Sequence, residues 1–470
     1  MTSRARFLAA AGLVFTLALL VRGLYLEDGL AALYTSDQDG TRMARRYDDF
    51  ALGILHGEGI LFPRVWDPAK TGLAFRPPGY SMFLASVYAL FGRSFPLVSA
   101  AQDVLASLAA VLVMAVGWRR FGPLAGVLGG LLVASSPHIA ATSNLILADA
   151  IAPLPLLLAF TVGGGLLTAS ATSGSWKRAA LAGLLIGAGV WIRPNVLLLG
   201  PFAAFFVWLL AGPSLRSARL GLVLALTSLA VVAPITLRNW LVLGEFIPVS
   251  INGGITLWQG VADAGGREYG ARVWDKQVIA EEAERYGRPD YLLWWAEPDG
   301  VARDRDRYRR AREVISARPF WYAKAMLRRM GEMLLFVDGP RPLREAGAEA
   351  VGEESPGERV PLPAVPALDR TLDESRLRAW AGTGGTLRGP LRVLHALWPA
   401  VPLLVFVGIA VALKDPLWRA SAWWLVVPLY YLIFESPFLY EWRVAVPMQY
   451  FLLPFAGHAL AWGASRLGRR

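Results

Sequence analysis

The chain has 470 residues, of which 55% are hydrophobic and 18% charged, more apolar surface than a soluble core of this size needs. A net charge of +11 would suggest nucleic acid in a soluble protein, but the basic residues fall in short connections and form no continuous face, so nucleic acid is set aside as a partner. With no cysteine, the chain can carry no disulfide, thiolate metal site or cysteine nucleophile.

The first apolar run, near residues 7–26, follows Arg4 and Arg6. It exceeds the apolar stretch of a signal peptide and reads as an uncleaved anchor. Further apolar runs lie near 97–117, 123–141, 150–168, 179–192, 196–211, 220–236, 395–413, 420–434 and 444–463. They predict an all-α integral membrane protein, a polytopic bundle of about ten transmembrane helices. If the N-terminus is cytoplasmic, the connections on that side hold Arg119, Arg120, Lys177, Arg178, Arg216, Arg219, Lys414, Arg419 and the terminal Arg466, Arg469 and Arg470, with Asp415 as their acid. That bias obeys the positive-inside rule and puts both termini in the cytoplasm.

The opposite side receives the first loop, 27–96, tight connections near 144–149 and 193–195, a long segment 238–394, and a short one near 435–443. The expected organisation is an N-terminal transmembrane module, 1–237, that carries the chemistry, an outer segment, 238–394, and C-terminal transmembrane helices, 395–470. Within the first loop, Tyr80–Phe91 is apolar but too short to span and reads as a helix lying in the interface. Phe320–Phe336 reads the same way. Helices are expected over Asp275–Tyr286 and Val301–Ala317, and the Pro-, Gly-, Glu- and Arg-rich stretch 338–366 is expected to be a mobile loop. Gly163-Gly164-Gly165 lies inside an apolar run and points to close helix packing.

The first loop clusters Asp37, Asp39, Asp48 and Asp49. Asp48 and Asp49 are expected to begin a helix, where the dipole favours carboxylates. Asp37 and Asp39 lie in a non-helical Thr-Ser-Asp-Gln-Asp-Gly stretch, which a solvated turn explains equally well. Asp149 differs, because apolar residues flank it on both sides and an unpaired charge at membrane depth costs several kcal/mol by order of magnitude. Arg193, Arg238 and Arg443 each end an apolar run on the outer side. One such arginine could merely snorkel to lipid phosphate; together with Arg76 they make a phosphate clamp, since guanidinium forks match phosphate oxygens. Carboxylates beside a phosphate site suit an activated phosphosugar. No Walker loop, zinc-binding histidine pair or nucleophile elbow occurs, and His56, His138, His395 and His458 are scattered.

Leu55-His56-Gly57-Glu58-Gly59, then Arg76-Pro77-Pro78-Gly79-Tyr80 with Phe83-Leu84-Ala85 and Phe91-Gly92, resemble bacterial membrane glycosyltransferases of the GT-C class. The branch is the one related to protein O-mannosyltransferases and the lipid A aminoarabinose transferase. Ser136-Pro137, Asp149, Arg193-Pro194, Arg238-Asn239 and Arg443 to Pro447 extend the likeness over most of the chain. The resemblance implies an inner-membrane enzyme with a periplasmic active site that passes a sugar, with inversion, from a polyprenyl-phosphate-linked donor to a lipid, glycan or protein hydroxyl. It implies a first-loop base, Asp39 or Asp37, and no metal or other cofactor. Asp149 would orient sugar or acceptor, Arg76, Arg193, Arg238 and Arg443 would hold the donor phosphate, and Tyr80, Asn195 and Asn239 would contact substrate. The spacing from the acid pair to Tyr47 is longer than the family pattern, and many relatives carry glutamate where Asp149 stands.

The rival class is a transporter or flippase of lipid-linked sugar. It would place charges near the bilayer midplane and show a repeated half, whereas here the charges gather at one face and no repeat is seen. A scaffold without chemistry leaves Asp149 and the clustered arginines unexplained.

Overall fold

The computed structural model describes residues 2–35, 39–61, 76–167, 174–336 and 388–467, with the side chains of 27–35, 39–43, 45 and 388 excepted. Asp37, the side chain of Asp39 and the 338–366 stretch lie outside the described residues. Among those described, regular structure is helical, with one isolated bridge between Trp294 and Glu297.

Helix α1 (Ser3–Thr35) runs on past its apolar stretch, Ser3–Leu26. The first loop contributes α2 (Asp39–Leu55) and α3 (Gly79–Phe91), and α4 (Phe95–Phe121) begins at Ser94, whose side chain accepts from Leu97 N. Helix α2 thus begins at Asp39 and not near Asp48. Asp48 sits in mid-helix because its carboxylate is committed elsewhere: it pairs with Arg93 and accepts from Tyr88 Oη at 2.8 Å. The 123–141 run divides into α5 (Pro123–Ser135) and α6 (Pro137–Ser143), bent by 54°. Pro137 lacks an N–H and disfavours helical geometry at Ser136, which is extended at φ −63°, ψ 122°. Beyond the bend the chain enters a short 3₁₀ turn, Ala148–Ala150.

Then come α7 (Pro153–Gly163), α8 (Ser175–Ile192), α9 (Leu199–Leu210) and α10 (Leu215–Leu243). The outer segment holds α11 (Gly253–Asp263), α12 (Asp275–Tyr286), α13 (Gly300–Ala317) and α14 (Pro319–Leu335). The chain closes with α15 (Arg388–Ala396), α16 (Val401–Leu413), α17 (Trp418–Glu435) and α18 (Val446–Leu467).

Six helices among the described residues are long and apolar enough to cross a membrane, or seven if the bent pair is one span, fewer than the ten runs seen in the sequence. The runs 179–192, 196–211 and 420–434 became α8, α9 and α17, which fall short in length or in mean hydropathy. Helix α18 is central, with 78% of its apolar window buried, whereas α10 buries 28% and leaves Leu222, Leu226, Leu229 and Leu237 exposed as a lipid-facing stripe would be. At Gly163 a methyl group would sit 2.6 Å from Trp423 Cζ2, so that glycine serves the approach of α7 to α17.

The outer segment has its own core, around Ile255, Trp258, Val261, Val278, Trp295 and Tyr322. At its centre Glu282 is fully buried and accepts from Arg303 Nη2 at 2.8 Å and Arg307 Nε at 2.6 Å, with Arg310 Nη2 at 3.3 Å. Burial pushes the Glu282 carboxyl up, but Arg307 and Arg303 outweigh it and hold it below its ordinary value. Asp304, by contrast, is pushed up to about 7 by burial, although Arg307 and the backbone donors of Gly254 and Ile255 pull it down. Unfolded, that carboxyl ionises at its ordinary 3.8, so the folded state holds the extra proton in the interval up to about 7. Stability therefore falls as pH rises through that interval, while the Glu282 contribution is lost as pH drops below its ordinary 4.5. The unfolding midpoint of the detergent-solubilised protein, followed by tryptophan fluorescence, is expected to decline from pH 4.5, where the Glu282 contribution is in place, up to about 7, and Asp304→Asn to flatten the decline.

Candidate active site

The ends of several helices meet around Arg193. Pro194 excludes helical geometry from the residue before it, so α8 stops and Arg193 turns extended at φ −136°, ψ 125°. Its guanidinium pairs with the buried Asp149 carboxylate, delivered by the 3₁₀ turn after the α5–α6 bend. Tyr430 Oη donates to the Asn195 carbonyl at 2.7 Å and fixes the Pro194 turn against α17. Tyr431, Arg443, Glu435 and Tyr47 lie within electrostatic reach of Arg193. The Asn195 amide lies against Tyr431 and Glu435, the last residue of α17. Two carboxylates, Asp149 and Glu435, thus accompany Arg193 and Arg443.

The first loop builds a second face onto this cluster. Arg76 Nη1 donates to Tyr47 Oη at 2.7 Å, with the guanidinium 4.8 Å from the Tyr47 ring centre. Tyr47 meets Tyr80 edge-on at 4.7 Å, and Tyr80 Oη donates to Gln102 Oε1 at 2.6 Å. Burial, reinforced by Tyr47 and Tyr88, raises the Tyr80 phenol well above its ordinary value, so it is a donor and not a base. Gly79 explains how this face docks: a methyl there would lie 2.5 Å from the Trp191 carbonyl oxygen, so the start of α3 rests on the end of α8. The Arg76-to-Tyr80 block and the Trp191-to-Asn195 block therefore meet, although far apart in sequence.

Asp149, Arg193, Asn195 and Arg443 share one cluster, and Arg76 and Tyr80 join it through Tyr47. Arg238 and Asn239 are engaged with each other: Arg238 forks onto Asn239 Oδ1 at 3.0 and 2.7 Å, and the Asn239 amide donates to the carbonyls of Ile247 and Val249 at 2.8 and 3.1 Å. None of these bonds reaches Arg193. Arg443 is also paired with Glu441, and its loop is gripped by the outer segment, where Arg329 Nη1 donates to the Ser436 carbonyl at 2.9 Å and Leu439 N to the Thr256 carbonyl at 3.1 Å. Trp258 and Trp295 are buried core residues beneath Arg310 and Arg307, whereas Trp294 is half-buried and stacks with Arg46 of the first loop. Among the described residues no three His, Asp or Glu side chains converge as a metal site would require.

Sequence reasoning passed over Glu435, Tyr431, Gln102, and two ionisable residues inside the bundle, Arg22 and Asp103, both fully buried. The signal that singled out Asp149, a charge embedded in an apolar run, applies equally to Arg22 and Asp103.

Residues 75–237 match the model of the family described as dolichyl-phosphate-mannose-protein mannosyltransferase, a span that includes Arg76, Tyr80, Asp149, Arg193 and Asn195. In fold the chain is similar to the crystal structure of the apo oligosaccharyltransferase of Archaeoglobus fulgidus, at TM-score 0.51 and 15% identity over 98% of this chain and 51% of the other. The chain thus spans about half the length of that protein. Fainter likenesses are to Archaeoglobus fulgidus AglB in complex with an inhibitory peptide and a dolichol-phosphate (TM-score 0.45, 14% identity, 97% and 50% covered) and to ArnT from Cupriavidus metallidurans bound to undecaprenyl phosphate (0.36, 13%, 97% and 77%). Among curated proteins none matches the chain in sequence. The family match and the helical membrane fold agree with the resemblance to the GT-C class.

Gly79→Ala is expected to force α3 off the end of α8 and to cost about 1–3 kcal/mol, the usual scale for overpacking. Thermal unfolding in detergent, compared with Gly331→Ala in mid-α14, where no atom lies near the added methyl, measures it.

Proposed function

We propose that this chain is a bacterial inner-membrane glycosyltransferase that moves a sugar from a polyprenyl-phosphate-linked donor to the hydroxyl of a lipid, glycan or protein on the periplasmic face. The observation that carries this reading is the Asp149–Arg193 pair, with Glu435 and Arg443 beside it, at the end of an apolar helical bundle. A polyprenyl donor keeps its chain in lipid and its phosphate at the interface, and guanidiniums gathered at the end of an apolar bundle suit such a phosphate. The family match over 75–237 supports the same donor chemistry.

In the proposed reaction the acceptor oxygen attacks the anomeric carbon as the bond from that carbon to the phosphate oxygen breaks, inverting the centre. The acceptor proton passes to a first-loop carboxylate, Asp39 or Asp37, and polyprenyl phosphate departs with its charge held by guanidinium groups. Arg193 and Arg443 are the principal phosphate ligands, with Arg76 and Arg238 as further candidates. Asp149 keeps Arg193 oriented before the donor arrives and orients sugar or acceptor afterwards. Tyr80, Asn195 and Asn239 are the proposed substrate contacts.

Purified protein incubated with a panel of polyprenyl-phosphate sugars tests this reading. One of Asp39→Asn and Asp37→Asn is expected to lower transfer by roughly a hundredfold to ten-thousandfold, the usual worth of a general base, and the other to change it little. Transfer that survives both substitutions removes the base, and donor movement across the bilayer without bond cleavage favours the transporter. Arg193→Lys keeps the charge but loses the fork, and is expected to raise the donor KM on the order of tenfold, the scale of one charged hydrogen bond.

A further inference from the structure

We infer that Gln102 and Asp103, adjacent on α4, are positioning residues that set where Asp149 stands relative to the first-loop face. This inference rests on the reading of Asp149 as part of the site.

Both side chains are fully buried in an apolar helix, and both reach the same short stretch of chain, the Gln102 amide N–H through its carbonyls and Asp103 Oδ1 through its side chains. Gln102 Nε2 donates to the Ser143 carbonyl at 2.8 Å and the Leu145 carbonyl at 3.0 Å. These lie at and just past the end of α6, where a helix leaves carbonyls without intrahelical partners. Asp103 Oδ1 accepts from Ser143 Oγ at 2.7 Å and Asn144 Nδ2 at 3.4 Å. Asn144 Nδ2 is also 3.0 Å from the Arg22 carbonyl, and the Arg22 guanidinium supplies the charge that faces Asp103 inside the bundle. The stretch 143–145 is therefore pinned to α4, and Asp149 lies four residues beyond it, in the 3₁₀ turn.

Gln102 is bonded at its other end as well, because its Oε1 accepts the Tyr80 hydroxyl. The contacts close into a ring. Tyr80 binds Gln102, Gln102 holds 143–145, that stretch leads to Asp149, Asp149 pairs with Arg193, and the end of α8 at Trp191 carries Gly79 beside Tyr80. Packing alone would be met by apolar residues, whereas a buried amide and carboxylate cost several kcal/mol by order of magnitude unless satisfied. Within this ring the amide of Gln102 spans from the Tyr80 side to the Asp149 side.

The test uses the full chain in proteoliposomes with Gln102→Leu, the milder Gln102→Asn and Tyr80→Phe, and the Tyr80→Phe/Gln102→Leu double variant. One readout needs no turnover: carbodiimide labelling of Asp149, resolved by peptide mass spectrometry, with the buried Glu282 as the marker of an intact fold. Labelling of Asp149 is expected to rise several-fold in Gln102→Leu while Glu282 stays protected, and Gln102→Asn to fall between. In the transfer assay Gln102→Leu is expected to lower kcat by roughly tenfold to a hundredfold, the scale of a small misplacement, with donor KM held within about twofold. In Asp149 labelling, which needs no substrate, the double variant should rise no further than Gln102→Leu. Unchanged labelling of Asp149, unchanged kcat, or labelling gains that multiply in the double variant would each overturn the inference. If wild type transfers from no donor, the glycosyltransferase reading fails and labelling alone decides the positioning role.

Discussion

The ion pair between Asp149 and Arg193 is the constraint around which this end of the bundle is arranged. Neither charge can stand alone at that depth, because removing one partner of a buried pair typically costs about 3–5 kcal/mol. Each must therefore be brought to the other, and the chain does so at places where a helix is made to stop. Pro194 ends α8 so that Arg193 leaves the helix axis, and Pro137 bends the α5–α6 run so that the following turn can present Asp149. Glu435 and Arg443 then surround the pair, and the tyrosines of the first loop cover it.

Much of the architecture was legible from apolar runs and charge bias. Helix α3 begins one residue before the predicted Tyr80, and α12 and α13 match the expected Asp275–Tyr286 and Val301–Ala317 to within a residue. Among the described residues fewer helices than apolar runs are long and apolar enough to cross, because an apolar run of fifteen or so residues reads the same whether it crosses a membrane or packs inside a bundle. The start of α2 was missed because Asp48 looked like an N-terminal carboxylate. Its partners, Tyr88 and Arg93, lie forty and forty-five residues away, a distance no local pattern reports.

The candidate site was legible in its kinds of residue and not in their company. Asp149, Arg193, Asn195 and Arg443 were singled out by charge or motif, and they do converge. Arg238 carried the same signal but is bound up with Asn239 at the exit of α10. Glu435 was hidden because it closes an aromatic helix, and Gln102 because an amide inside a span resembles any tolerated polar residue. Their roles appear only when Asn195 and the 143–145 carbonyls are seen beside them.

The clasp around Arg329 has a consequence for how such a protein can be taken apart. Its guanidinium reaches Asp263, the Gly260 carbonyl and the Ser436 carbonyl, so α11, α14 and the turn before α18 are fastened at one point. The outer segment is thus no detachable cap. A chimera that exchanged residues 238–336 with a relative while leaving 436–443 native would unfasten the turn that carries Arg443, and the two stretches have to be inherited, or transplanted, as one unit.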